Sequence, residues 1–252
     1  MILDLLGRNL FARTVDMIGS ASLHDQIAAG QTLHQIGLDH LALGEIGVPH
    51  FLGLEWSLLA ERDILDNNGG GTLNVVAATL RMVADANSDQ DGQIGQANTG
   101  NAATANDKAI DTHIDTLAAK SADGIYVLET DALTIDSTGD ISVEQVNFNS
   151  TTTTVTDASL SDLETTDAGP IKVVTAAGTL TINEGDADDT GVIAATSGNV
   201  LLEARGAAGD VVLNADVTSG SGHITIVAGD DVDQNADIAT GGTGTIYVSA
   251  AN

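Results

Sequence analysis

The chain has 252 residues and is strongly acidic: 36 Asp and Glu face 8 Lys and Arg, which gives a formal net charge of −28. Such a surface repels the phosphates of nucleic acids and of anionic lipids, so it argues against a nucleic-acid-binding or membrane-docking protein. Cys is absent, which excludes disulfides, thiolate metal sites and Cys nucleophiles.

The first predicted element is an amphipathic helix over residues 2–18. Aliphatic residues recur there near helical spacing, at Leu3, Leu6, Leu10, Val15 and Ile18. Such a helix would either cap the end of a stack of strands or belong to an upstream domain. Asp4 interrupts the apolar run and no basic segment precedes it, so the start does not resemble a signal peptide. We therefore expect that an export signal has been removed or that the chain is a piece of a longer protein.

In residues 36–55, pairs of aliphatic residues recur every five residues. We assign residues 1–68, which contain this stretch and the predicted helix, to an N-terminal region. Neither a helix nor one straight strand can bury such a pattern on one face, so we predict short strands joined by tight corners. Four of the six His residues lie in this region, at His24, His34, His40 and His50. A zinc-like site that also uses Asp39 and Glu45 is one interpretation. Solvated corner residues are the favoured one, because the spacing matches no standard ligand motif.

The stretch DANSDQDGQIG, Asp85–Gly95, resembles a calcium-binding loop. In that register Asn87, Asp89 and Asp91 take positions one, three and five, but position twelve is Asn98 where a bidentate Glu is expected. The preceding residues 79–84 alternate like a strand, and a polar segment over residues 96–108 follows. We therefore predict a long corner between strands, whose candidate calcium ligands are Asp85, Asn87, Asp89 and Asp91.

Residues 69–252 carry an internal repeat. The segment Gly209–Gly229 aligns with Asp230–Ala250 at an offset of 21 to 22 residues. A unit of Gly, any residue, aliphatic, any residue, aliphatic begins at Gly71, Gly178, Gly198, Gly222 and Gly244, and the last four are 20 to 24 residues apart. The alternation indicates strands with one buried face, and the steady period indicates one coil per repeat. The pattern predicts an all-β parallel β-solenoid with about 20–24 residues per coil, stacked at the ~4.8 Å strand spacing.

The composition agrees with such a core, because 42% of residues are hydrophobic but only 2% are aromatic, and Pro occurs twice. Three stretches carry a resemblance to a known family: GTLNVVAATLRMVAD, AIDTHIDTLAAKSADGIYVLETDALTI and residues 197–250. They resemble the repeats of giant filamentous-haemagglutinin-type bacterial surface proteins. The resemblance covers residues 69–252 and implies a right-handed parallel β-helix in an extracellular adhesin or stalk, with a host-cell or matrix surface as its partner.

Two further acidic turns are candidate calcium sites. One contains Asp186, Asp188 and Asp189, and the other contains Asp230, Asp231 and Asp233. Hard oxygen ligands in turns suit Ca²⁺, but the nonapeptide of tandem calcium-binding rolls is absent from the sequence. Isolated surface sites therefore remain an expectation.

The sequence does not indicate an enzyme. The eight basic residues are scattered, the aromatic residues that would hold a sugar are scarce, and no nucleophile-elbow or phosphate-loop motif occurs. We expect a non-catalytic structural or adhesive rod at the bacterial cell surface. The sequence stops at GTIYVSAAN, directly after a predicted strand, so we expect either continuation of the chain or end-to-end stacking of subunits. The alternative is a calcium- or glycan-binding module of a surface protein.

Overall fold

The computed structural model describes residues 55–68, 70–98 and 108–251, together with the backbone of residues 40–43. The helix predicted over residues 2–18, most of the five-residue pattern, and His24, His34 and His50 lie outside these residues. Within them every regular element is a β-strand and no helix occurs. The all-β prediction is therefore confirmed.

The described residues form 23 β-strands. In chain order they are β1 (His40–Leu43), β2 (Glu55–Leu59), β3 (Asp63–Asp66), β4 (Val75–Val76), β5 (Thr79–Val83), β6 (Gln93–Ile94), β7 (Ile110–His113), β8 (Thr116–Ser121), β9 (Gly124–Glu129), β10 (Leu133–Ile135), β11 (Ile141–Val146), β12 (Thr152–Asp157), β13 (Leu163–Thr165), β14 (Ile171–Thr175), β15 (Leu180–Ile182), β16 (Thr190–Ala194), β17 (Val200–Ala204), β18 (Val211–Leu213), β19 (Asp216–Ser219), β20 (Ile224–Ala228), β21 (Val232–Gln234), β22 (Ile238–Thr240) and β23 (Ile246–Ala250).

Two large sheets contain every strand except β11 and β12. The first sheet runs β1-β3-β6-β9-β14-β17-β20-β23, with β7 pairing both β4 and β9. The second runs β2-β5-β8, and β8 then pairs with β10 through its first half and with β13 through its second half. All the pairings in these two sheets are parallel.

From β9 onward the strands stack in three rows. The first row is β9-β14-β17-β20-β23, the second is β10-β15-β18-β21, and the third is β13-β16-β19-β22. The chain visits the three rows in turn and then returns to the first row. Successive returns place Ile171 against Val200, Val200 against Ile224 and Ile224 against Ile246, which are steps of 29, 24 and 22 residues. Parallel strands in stacked sheets of this kind are consistent with a β-solenoid.

The repeat alignment is confirmed in detail over the last two circuits. Val211 pairs with Val232, Val217 with Ile238 and Ile224 with Ile246, as the sequence offset requires.

Two parts of the repeat prediction are wrong. The unit that begins at Gly178 enters the second row, where Leu180 pairs with Val211, so its spacing to Gly198 is not a coil. The unit one circuit before Gly198 is Gly169-Pro-Ile-Lys-Val, which fits the motif but lies 29 residues upstream, beyond the expected 20–24. Coil length varies because the turns between rows differ in length, while the strands of each row stay paired in parallel.

The interior consists of aliphatic columns that run through successive coils. In the first row Val127, Val173, Leu202 and Ile226 are paired in sequence and are completely buried. Burying each such side chain contributes about 1.5–3 kcal/mol, so stacking supplies the stability that one coil lacks. The predicted core of stacked aliphatics is confirmed for the described residues.

An antiparallel hairpin made by β11 and β12 is inserted between β10 and β13. Ile141 and Val143 are buried at its base, whereas Val146 and Phe148 at its tip are 66% and 77% exposed. Sequence reasoning missed this hairpin, because only its first strand alternates, at Ile141 and Val143, while its Thr-rich second strand resembles a polar loop. The insertion explains why Ile125 pairs with Ile171, 46 residues later.

The proposed boundary near residue 68 crosses continuous sheets. Strands β2 and β3 precede it, yet they pair in parallel with β5 and β6, which follow it. The division into residues 1–68 and 69–252 stays a prediction.

Candidate functional site

Residues 84–92 connect β5 to β6, as predicted for the calcium-like stretch. The corner stacks on an earlier turn, because the Asp85 amide donates to Arg62 O (3.2 Å) and the Ala86 amide donates to Ala60 O (3.0 Å). Gly92 has φ +138°, and a Cβ there would lie less than 3.0 Å from Arg62 O. Only glycine fits at this close approach, which accounts for the glycine at the end of the corner.

The corner brings together three of the four residues predicted as calcium ligands. Carboxylate oxygens of Asp85, Asp89 and Asp91 all lie within 4.8 Å of one another. The fourth, Asn87, presents its amide nitrogen to this cluster, because its Nδ2 donates to Asp89 Oδ2 (3.0 Å). Arg62 Nε lies 3.1 Å from Asp91 Oδ2 and supplies positive charge from the preceding turn.

Ionisation in this first cluster is coupled. A hydrogen bond between Asp89 and Asp91 lowers the pKa of Asp89 and raises that of Asp91, and burial raises the pKa of Asp85. The charge of Arg62 acts in the opposite direction on Asp91 and lowers the pKa of that carboxyl. The cluster is a candidate cation site whose carboxylates already have partners within the protein.

Two further clusters form where turns of successive coils meet. One contains Asp162, Asp186 and Asp188, and the other contains Asp210, Asp230 and Asp231. Sequence reasoning identified Asp186, Asp188, Asp230 and Asp231, but it grouped them with Asp189 and Asp233, which do not belong to these clusters. It missed Asp162 and Asp210 because these lie one coil earlier. The alignment of Asp210 with Asp231 was the available signal.

An amide ladder follows the corner between the second and third rows. Asn183 Nδ2 donates to Asp136 Oδ2, Asn214 Nδ2 to Asn183 Oδ1 and Asn235 Nδ2 to Asn214 Oδ1, each at 3.0 Å. Each side chain occupies the same place in its coil. The ladder satisfies the amides and fixes the register of the coils along this corner.

A cavity of about 350 Å³ lies beside this ladder. Its lining residues are acidic or carry amides, apart from one alanine: Glu184, Asp189, Asn214, Asp216, Asn235, Ala236 and Asp237. None of these seven side chains is aromatic, so the cavity lacks the stacking surface that protein sites commonly offer to sugar rings. The glycan-binding alternative stays a prediction.

Glu129 is the most deeply buried ionisable group described, with no exposed surface. Its Oε2 accepts from Thr112 Oγ1 (2.7 Å) and the Ile114 amide (3.1 Å), and its Oε1 accepts from the Thr130 amide (2.7 Å). Burial raises its pKa to about 7 against the opposing effect of these donors. A carboxyl enclosed in this way has a structural task, because its oxygens hold backbone and side-chain donors from neighbouring segments of the chain.

Two His residues have defined partners. His113 Nε2 lies 3.3 Å from Asp131 Oδ2, and His223 Nδ1 accepts from the Thr245 amide (3.1 Å). His40 begins β1, of which only the backbone is described. The zinc-like alternative for the four N-terminal His residues thus stays untested.

Comparison with known proteins found no match among protein-family models, curated proteins or solved structures. The described residues contain no helix that could span a membrane. The candidate sites are therefore interpreted from their own geometry.

Proposed function

We propose that the chain is a non-catalytic structural and adhesive segment of a bacterial cell-surface filament or stalk, folded as a right-handed parallel β-helix. Its mechanical task follows from the stacked strands, since deformation along the stack must break many backbone hydrogen bonds at once. The observation that carries the proposal is the unbroken parallel register of the first row from β9 to β23.

The outward positions support a solvated rod. In β20 the buried Ile224, Ile226 and Ala228 alternate with partly exposed Thr225 and Val227. Acidic residues concentrate in the turns, and their mutual repulsion keeps such a surface hydrated and resists lateral aggregation. Together with the sequence resemblance, this supports an extracellular location.

The last circuit of strands supports coverage by further coils. Ile246 and Val248 of β23 are 44% and 41% exposed, whereas their stacked partners Ile224 and Ile226 are completely buried. An apolar parallel strand with one open edge is a template for another strand. Either later residues of a longer polypeptide or the edge of a second subunit would bury these side chains in the same columns.

Electron microscopy of the protein isolated from the cell surface tests this function. We expect filaments or stalks whose width equals the cross-section of one coil and whose labelling by antibodies against this chain follows their length. Compact isolated particles that carry the antibody, with no rods or filaments, would contradict the structural proposal.

The second candidate function is a calcium-dependent binding module. The observation that favours it is the set of three carboxylate clusters in turns of the described residues. A chelator that abolishes binding to host-cell or matrix material, while leaving the filaments intact, would support this module over a plain rod. Binding that persists in the chelator would oppose it.

A further inference from the structure

The cluster of Asp162, Asp186 and Asp188 joins two turns that are far apart in sequence. Asp162 directly precedes β13, while Asp186 and Asp188 lie in the connection from β15 to β16. Leu163 of β13 pairs with Val192 of β16, which brings the two connections side by side. A Cβ on Gly185 would lie less than 3.0 Å from Ser161 Cβ, so the turns are in close contact.

Asp162 differs from the other acidic turn residues because it is buried. It is 4% exposed, and its Oδ1 is enclosed without a hydrogen-bond partner. An unsatisfied buried carboxylate oxygen is costly, and native proteins usually pair such atoms with a donor or a cation. Asp162 belongs to the group of three carboxylates in which one oxygen of each side chain lies within 4.8 Å of the others.

Within the described part of the chain, none of these three carboxylates takes part in an ion pair. The hydroxyl and amide of Thr190 both donate to Asp188 Oδ1, at 2.6 and 2.8 Å, and hold that side chain in place.

The other two clusters lack this combination. In the first, Arg62 contacts Asp91 at 3.1 Å and Asn87 contacts Asp89. In the third, Asp210 Oδ1 accepts from the Asp231 amide at 3.1 Å, and none of its three members is buried. They serve as internal controls.

We propose that Asp162, Asp186 and Asp188 bind a divalent cation, with Ca²⁺ as the preferred ion, and that the ion ties successive coils together at this corner. Two oxygens on one Ca²⁺ can be no further apart than ~5.2 Å, twice the longest usual ligand distance of ~2.6 Å. The three carboxylate oxygens lie within 4.8 Å of one another, inside that limit. Water and backbone carbonyl oxygens would complete its six to eight ligands. The rod proposed above does not depend on this ion.

Calorimetric titration of the chelator-treated full chain with CaCl₂ tests the site. Asp186→Asn and Asp188→Asn change exposed residues and retain an oxygen acceptor, so both variants are expected to fold. We expect each to weaken binding at this site at least tenfold, or to lower the stoichiometry by one. The same substitution in the other clusters, Asp89→Asn or Asp230→Asn, is expected to leave this binding event unchanged.

Asp162→Asn separates a ligand from a merely buried acid. We expect this variant to have a higher melting temperature than the wild type in chelator, because a buried charge is removed, and to show no further increase when Ca²⁺ is added. Wild-type chain that shows no saturable Ca²⁺ binding at millimolar concentration would overturn the site. Equal binding by the wild type and by Asp186→Asn and Asp188→Asn would overturn it as well.

Discussion

At the scale of single residues, Glu129 shows how a buried carboxyl group holds a coil corner together. Three donors contact its two oxygens within 3.1 Å, and two of those donors, Thr112 Oγ1 and the Ile114 amide, belong to the preceding circuit. The carboxyl therefore replaces backbone pairing where β7 and β9 diverge. The cost is desolvation, which is the largest cause of its raised pKa.

The raised pKa of Glu129 predicts that the free energy of unfolding depends on pH. The pKa of Glu129 is about 7 in the folded chain and its ordinary value is 4.5, so the folded state retains a proton that the unfolded chain releases. The resulting stabilisation is complete below pH 4.5 and is lost as the pH rises through 7. In Glu129→Gln this contribution is absent. We expect the wild type to lose about 3 kcal/mol of unfolding free energy relative to the variant between pH 4 and pH 8. Urea unfolding of both proteins at each pH measures this difference.

The variant Thr112→Val provides the matched control. It removes a donor that lowers the pKa of Glu129, so the pH midpoint of the transition should move to a higher value. Asp111, whose pKa burial raises to about 6, is present in all three proteins and cancels in the differences. A difference between Glu129→Gln and the wild type that stays constant with pH would contradict the assignment.

Sequence reasoning identified the cluster residues that are neighbours in sequence and missed those contributed by another coil. Asp186 and Asp188 are neighbours in sequence and are recognisable as a pair, whereas Asp162 joins them only because β13 stacks on β16. Nothing local distinguishes a buried Asp162 from a solvated one. Its role is set by contacts between coils, so it becomes visible once the register of the coils is known.

At the scale of elements, a column of glycines keeps the circuits close at the entry to the first row. Gly169, Gly198, Gly222 and Gly244 stack there, and a Cβ on each of the last three would lie less than 3.0 Å from the carbonyl oxygen of the glycine below. These positions need no unusual backbone angle. They need the absence of a side chain, because strand pairing fixes the distance between coils.

We expect Gly222→Ala to destabilise the chain by about 2 kcal/mol, within the usual range for overpacking, because its methyl group would meet Gly198 O. The control is Thr225→Ala, which changes an outward position of the strand that follows. Urea unfolding followed by circular dichroism would compare the two. Equal midpoints for the two variants would mean that the coils can separate there at little cost.

The strands of the repeat were predictable because each has one buried face, and alternation records that face directly. The hairpin was not, because β12 has no fully buried side chain and its Thr-rich run reads as polar loop. Coil length was only partly predictable. Turns between rows range from the short link between β18 and β19 to the insertion between β10 and β13, and a search for constant spacing joined Gly178 to the wrong row.

At the scale of the whole molecule, the columns make stability a sum over neighbouring coils. A side chain in the middle of a column is covered from both sides, as Ile226 is by Leu202 and Val248. Val248 in β23 is covered from one side among the described residues and remains 41% exposed. The same substitution should therefore impair folding at Ile226 and impair association at Val248.

We expect Ile226→Lys to destabilise the chain by several kcal/mol, because an unpaired charge would be buried in the column. Val248→Lys should change the melting temperature little, since its ammonium group can reach water.

If a second subunit stacks on β23, the sedimentation coefficient of the wild-type chain should rise with concentration, and Val248→Lys should abolish that rise. A wild-type chain that sediments as a monomer at every concentration would rule out self-association through this edge.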